Sequence, residues 1–443
     1  MKRPVADAAE QMARKNYAEN GFLAKGCVLF RRSSRSVSNS MTALPANTYR
    51  AIVARQPICD RQQRTIGYEL LFRDLGTEQC VFGNADEATS RVIFNFVVEI
   101  GLDRLVGPSK AFINFTREFM MGMNSGLLPQ DRVVLEILED SIPDPEFLTA
   151  IGALRAKGFH FAIDDFQFQE HLMPFVPYCS YIKVDLRVVD RARLIREMPS
   201  MLSLPLKLLA EKVETQEEFE FCLNAGFEYF QGFYFCKPKI ISAATMPANR
   251  LTVCRLMAKL HQPDVSIQAV EALISEDPSL SYRILRYINS AAIALPRKIG
   301  SIKQAVRMVG LDHIRTLSSL VLLFSMDDKP RELIKTSVVR ARMCQLLGDG
   351  PARDHGTYFT TGLFSTLDAF LNCSMRAALE QLPLSDDIRE ALLYGDGTLG
   401  RILSAVLAYE QADWESLDRL GIEPQIIANA FFEAVSWGDA LAL

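Results

Sequence analysis

Residues 160–166 read HFAIDDF, an apolar run that ends on two adjacent carboxylates, Asp164 and Asp165. A short apolar stretch of this kind reads as a buried strand delivering charge at its end. Outward from it the same arrangement recurs. Upstream stand IGYELLFR with Glu69, AFINFT with Asn114 and VVLEILE with Glu136; downstream stand YIKVD with Lys183, LPLKLLAE with Glu211 and YFQGFYF with Gln231. Successive marked residues lie roughly 20 to 30 positions apart, after a first step of roughly 45, which is about the length of a strand-plus-helix unit. The pattern predicts an α/β fold, a (β/α)8 TIM-like barrel, in which the strand ends converge on one mouth.

Acids gathered in so small a volume repel one another unless cations neutralise them. Taken singly, Glu69, Glu136 or Glu211 would pass for a salt-bridged or solvated acid; taken together they predict a metal site. The adjacent Asp164 and Asp165 can serve two different cations, and paired divalent ions about 3.5 to 4 Å apart suit phosphodiester hydrolysis. Asn114 adds a neutral oxygen ligand. Oxygen donors without His or Cys indicate two Mg or Mn ions rather than zinc. Lys183 among these acids could orient and activate an attacking water, or could form a structural ion pair with Asp185 or a neighbour.

The remainder of the chain sets the context. Its 443 residues, 49% hydrophobic and 23% charged, exceed what one core usually serves. A net charge of -4 and a pI near 5.9 provide no field for nucleic acid polymers or anionic membranes. Nine scattered cysteines, never spaced C-x-x-C, read as reduced thiols in a cytoplasmic protein. The longest apolar candidate, SSLVLLFSM, is too short to insert in a membrane. Residues 1–48, with the basic, serine-rich FRRSSRSVSNS, read as a disordered extension, and Met41 as an alternative translation start.

After Pro238 the alternation ceases, and residues 247–443 show helical periodicity. Ser266, Asp277 and Ser301 are expected N-caps, Pro278 a first-turn proline and Gly310 a terminator. The boundary between a barrel over 49–240 and an all-α domain is expected at residues 239–248, within KIISAATMPANR.

The runs QPI, ELLFR, FINFT, LEILE, DDF, IKVD, AEKVET and FQGFYFCKP resemble, in order and spacing, the EAL domain of cyclic-di-GMP phosphodiesterases. DPSLSYRILRYINSA and GSIKQAVRMVGLDHIRTL resemble an HDOD domain, so the whole is similar to the EAL-HDOD signalling family. The resemblance implies cyclic-di-GMP as substrate and linear pGpG as product. It implies Glu69, Asn114, Glu136 and Asp164 as ligands of a first metal and Asp165 of a second. Lys183 would hold the catalytic water and Glu211 would act as base or water-orienting acid. Arg73, Leu71 and Gln231 would line the substrate site, and Glu139 would steady the following loop. It also implies a protein partner for the HDOD domain and a possible homodimer.

Two departures stand out. QFQEHLMPF, from Gln167 to Phe175, replaces a glycine-rich loop that couples metal, substrate and dimerisation in the family. DLGTEQCVFGN after Arg73 lacks the family's proline-rich continuation. In the helical half no His-Asp dipeptide occurs, so His261, His313 and His355 are expected to pack or face solvent. SIKQAVRMVGLDHIRTLSSL has too few basic residues for a DNA-reading helix-turn-helix. Two readings stay open: a phosphodiesterase, favoured by Asp165, Lys183 and Glu211, and a non-catalytic receptor or scaffold, favoured by the altered loop.

Overall fold

A computed structural model describes residues 51–75, 93–237 and 248–440 apart from short gaps at 95–96, 99, 124–125, 127, 261, 263–264, 290–297, 325–328, 349–354, 381 and 383. The expected N-terminal extension, the 239–247 linker and most of the DLGTEQCVFGN segment lie outside the described residues, as do His261 and the side chains of His313 and His355.

Eight strands close a barrel in sequence order. They are β1 (Ala51–Asp60), β2 (Thr65–Asp74), β3 (Lys110–Asn114), β4 (Val133–Ile137), β5 (His160–Ile163), β6 (Tyr181–Asp185), β7 (Lys207–Glu211) and β8 (Tyr229–Gln231). From β2 to β8 neighbours are parallel, but β1 runs antiparallel to both β2 and β8. The cause is the link between β1 and β2: a parallel pairing needs a crossover of a dozen residues or more, and only residues 61–64 are there. Asp60 closes this turn, its Oδ1 accepting from the backbone N–H of Gln62 and of Arg64, each at 2.9 Å.

Inside the barrel the sequence alternation becomes two layers. Ile58, Phe112, Val134, Ala162, Tyr181 and Leu209 form an apolar plug. Gly67 gives Phe112 its room, because a Cβ there would stand 2.9 Å from the ring. Two residues further toward the mouth, the same strands place Gln56, Glu69, Asn114, Glu136, Asp164, Lys183, Glu211 and Gln231, since successive inward positions on a strand differ by two. Around the barrel run α1 (Leu102–Val106), α2 (Arg117–Gly122), α3 (Pro145–Ala156), α4 (Arg191–Leu202) and α5 (Gln216–Ala225).

Thirteen further helices are described beyond the barrel: α6 (Ala248–Leu260), α7 (Ile267–Ser275), α8 (Pro278–Ile288), α9 (Ile302–Val309), α10 (Leu311–Phe324), α11 (Arg331–Leu347), α12 (His355–Phe364), α13 (Leu367–Leu371), α14 (Met375–Glu380), α15 (Asp386–Tyr394), α16 (Gly397–Glu410), α17 (Trp414–Leu420) and α18 (Pro424–Ala440). Ser266 and Ser301 cap α7 and α9 through their side chains, and Asp277 accepts from Leu280 N at the start of α8. Gly310, at φ 90, ends α9 in a conformation that suits glycine.

The β1–β2 hairpin has no crossover helix to cover its outer face, and C-terminal helices take that place. Tyr409 of α16 is fully buried and donates to Val53 O at 2.6 Å. Glu332 of α11 is buried and accepts from Thr65 Oγ1 at 2.7 Å. Arg55 reaches Leu105 O at 2.7 Å and lies over the Tyr68 ring. A buried pair, Arg340 with Glu410 at 2.6 Å, ties α11 to α16. Barrel and helices belong to one compact unit, Arg50–Leu443.

Candidate active site

Lys183 is the centre of the mouth. It is fully buried on β6, and its Nζ lies 3.1 Å from Glu69, 2.7 Å from Glu136, 2.6 Å from Asp164 and 3.0 Å from Glu211. Lys183 thus forms structural ion pairs with neighbours rather than with Asp185, which is also buried and binds Lys212 at 2.5 Å. Glu69 is held by neighbours on three strands. Its Oε1 accepts from Lys183 and, at 3.4 Å, from Asn114 Nδ2, while its Oε2 accepts from Gln231 Nε2. Gln231 Nε2 also donates to Gln56 Oε1 at 3.1 Å.

One ammonium among four carboxylates leaves negative charge unbalanced. Burial pushes Glu136 and Glu211 well above the ordinary glutamate range, and the carboxylates beside them push the same way against Lys183. Burial alone would lower Lys183, but Asp164, Glu136, Glu211 and Glu69 override it and hold the ammonium charged. Asp165 is raised by partial burial and by its neighbour Asp164.

Oxygen donors remain unused. Glu136 Oε1 is met by the Lys183 ammonium at 2.7 Å, but Glu136 Oε2, Glu211 Oε2, Asn114 Oδ1 and Gln231 Oε1 are buried and accept no hydrogen bond among the described residues. Such atoms are costly to bury without a partner. Carboxylate oxygens of Glu69, Glu136 and Asp164 lie within 4.8 Å of one another, as do those of Asp164, Asp165 and Glu211. This all-oxygen donor set fits a hard divalent cation, and Asp164 belongs to both groups.

The remaining expected residues are placed less uniformly. Leu71 and Arg73 follow Glu69 on the same face of β2. The Arg73 guanidinium is engaged by Asp418 of α17 in a bidentate pair at 2.8 and 2.7 Å, and reaches Trp414 O at 3.5 Å. Glu139 is exposed and meets the following segment through its main chain, His171 Nε2 lying 3.0 Å from Glu139 O. That segment forms a 3-10 helix, Glu170–Tyr178. Leu172 and Phe175 are fully buried, and the Phe175 ring packs edge-on against Phe147 at 5.5 Å.

Gln56, Asp185 and Lys212 are site residues to which the sequence reading gave no role in the site. Alternation along β1 from Ile58 would have found Gln56. Asp185 lies two residues beyond Lys183. Lys212 adjoins Glu211, but its position depends on a backbone turn, φ 55, that pattern alone does not reveal.

A closed barrel with an acidic, lysine-centred mouth, followed by helices, defines a two-module architecture. The EAL domain model matches residues 79–238 and the HDOD domain model residues 246–383. The chain is 34% identical over 402 residues to the cyclic di-GMP phosphodiesterase CdgJ of Vibrio cholerae serotype O1, covering 88% of this chain and 93% of that one. It is 30% identical over 405 residues to the uncharacterized protein YuxH of Bacillus subtilis, covering 88% and 98%. The chain belongs to the EAL-HDOD family. Among solved structures, the PaMucR phosphodiesterase in its c-di-GMP complex is 22% identical, with a TM-score of 0.34 over 46% of this chain and 94% of that one.

Proposed function

We propose that this chain is a metal-dependent phosphodiesterase that hydrolyses cyclic-di-GMP to linear pGpG. The observation that carries the reading is the convergence of Glu69, Glu136, Asp164 and Glu211 on the buried Lys183, with acceptor oxygens left unused around them. The 34% identity to a protein named a cyclic di-GMP phosphodiesterase supports the substrate.

Glu69, Asn114, Glu136 and Asp164 would hold a first Mg or Mn, and Asp164, Asp165 and Glu211 offer ligands to a second. Bound there, divalent ions supply charge neutralisation of the phosphodiester and acidification of water. The protein's own groups do the rest. Lys183, pinned by four carboxylates, orients the attacking water through Nζ. Glu211, with Oε2 free, accepts its proton. The water oxygen bonds to phosphorus, the bond from phosphorus to the 3'-oxygen breaks, and that oxygen leaves as a hydroxyl after taking up a proton. Gln231 and Leu71 border the dinucleotide, and Arg73 suits a phosphate or guanine edge. Glu139, through its carbonyl, helps hold the Gln167–Phe175 segment. The helical domain, residues 247–443, serves as a regulatory module that binds a protein partner.

A second reading is a cyclic-di-GMP receptor or scaffold without turnover, favoured by the engagement of Arg73 by Asp418. Conversion of cyclic-di-GMP to pGpG by the full chain with Mg or Mn, beside Asp164→Asn, decides. Product that vanishes in the variant is the expected result; no product from folded wild type would leave the receptor reading. Among the described residues no helix is long and apolar enough to cross a membrane.

A further inference from the structure

The mouth holds two lysines, and they differ in a way that bears on metal occupancy. Lys183 is fully buried and faces Glu69, Glu136, Asp164 and Glu211. Lys212 has 43% of its side chain exposed and stands beside the second group of acids, with Nζ 2.5 Å from Asp185 and 3.5 Å from Asp165. Its backbone adopts φ 55, a left-handed conformation that costs a non-glycine residue about 1 kcal/mol. Asp165, at φ 42, is left-handed as well, although a short acidic side chain tolerates this better than lysine does. From this turn the Lys212 side chain reaches Asp185 and Asp165.

We infer that the Lys212 ammonium is the resident counter-ion of the second carboxylate group, so that the chain holds one divalent cation tightly at Glu69, Glu136 and Asp164 and admits another at Asp164, Asp165 and Glu211 only when Lys212 withdraws. The inference rests on the metal-dependent reading above. A cation placed near Asp165 meets an ammonium already in hydrogen-bonding range of that acid and of Asp185, and like charges at such separation repel. Lys183 does not play this part, because its fully buried ammonium is already shared among four carboxylates. Lys212, with 43% of its side chain exposed, can swing outward and return when the ion leaves. Occupancy of the second position thus becomes conditional, set by a residue of this chain rather than by the ion's concentration alone.

The test is a Mn2+ titration of the full-length wild type, Lys212→Gly and Lys212→Met, read by binding stoichiometry and by electron paramagnetic resonance, which distinguishes isolated from spin-coupled ions. Glycine suits φ 55 and removes the charge; methionine keeps the side-chain length without charge, so it separates backbone from electrostatic effects. Wild type should bind one Mn2+ per chain with the spectrum of an isolated ion, a second entering only at a concentration about tenfold higher or more. Both variants should bind two ions of similar affinity and give a coupled spectrum. Two ions of similar affinity in wild type, or a single ion in both variants, would overturn the inference while leaving the metal-dependent reading intact. Failure of all three proteins to bind Mn2+ would overturn both.

Discussion

Two layers of side chains face the barrel axis two residues apart along the same strands, and they are built on opposite terms. The lower, with Phe112, Val134, Ala162 and Leu209, is fully buried and apolar. The upper, with Glu69, Glu136, Asp164 and Glu211 around Lys183, is nearly as buried and carries more acid than base. Burying apolar surface stabilises a fold, whereas burying charge without full pairing costs stability. The plug therefore supplies what the mouth costs, and a cation bound among the mouth's acids would relieve it.

The largest effect expected of this division is in the plug. Phe112→Ala should lower unfolding free energy by about 3–5 kcal/mol, read as a shift of the urea midpoint. Gly67, which lies against the ring, has no side chain to fill the space left behind. A variant as stable as wild type would mean that the lower layer is not what supports the upper.

Next comes metal removal. If the mouth is relieved by a cation, Mn2+ at a hundredfold its Kd should stabilise the protein by about 2.7 kcal/mol. Thermal unfolding with Mn2+ and with a chelator measures this directly, and equal melting temperatures would remove the argument for a metal.

A smaller effect is expected from Glu136→Gln, which is isosteric and removes a charge. Glu136 is fully buried, only its Oε1 is met by Lys183 while Oε2 has no partner among the described residues, and burial raises its pKa. An acid whose folded pKa is raised binds more protons folded than unfolded, so stability falls as pH rises above the ordinary value of 4.5. The metal-free variant should be more stable than metal-free wild type by on the order of 1 kcal/mol at neutral pH, with a flatter pH dependence, while losing Mn2+ affinity. A destabilised variant would mean that the Lys183 contact outweighs the burial of the acid.

The division into layers was largely legible in the sequence, because it follows from a period of two along each strand. Asn114, Glu136, Asp164, Glu211 and Gln231 stand at or beside strand ends, whereas Glu69 and Lys183 lie within β2 and β6, and local order suffices to place them on the inward face. What was not legible depended on geometry between distant segments or on a single backbone angle. The length of the 61–64 link could have announced the antiparallel β1, and with it the role of Gln56. The left-handed turn at Lys212 leaves no such trace, since lysine is not a residue that favours it. Covering of the hairpin by α11, α16 and α18 joins residues hundreds of positions apart, as Tyr409 with Val53 illustrates. No periodicity encodes such a pair.

The smallest effect concerns the rim, where neither layer's rule applies. Arg73 and Asp418 are both partly in solvent, and surface pairs of this kind add little to stability. Asp418→Asn should therefore leave the unfolding midpoint nearly unchanged. Its effect should be on binding, because an Arg73 released from α17 is free for a phosphate: KM for cyclic-di-GMP should fall with kcat unchanged, most clearly at low salt. The hydrogen bond from Arg73 holds the Asp418 carboxyl below its ordinary value of 3.8. A depressed folded pKa means the contact is present above 3.8 and is lost as pH falls through the lower folded value. The difference between variant and wild type should accordingly be constant between about pH 6 and pH 8. Steady-state kinetics at two ionic strengths decides the matter: a KM that does not move at low salt would show that α17 does not hold Arg73 against the substrate, and that the helical domain acts on the mouth, if at all, through the buried hairpin face instead.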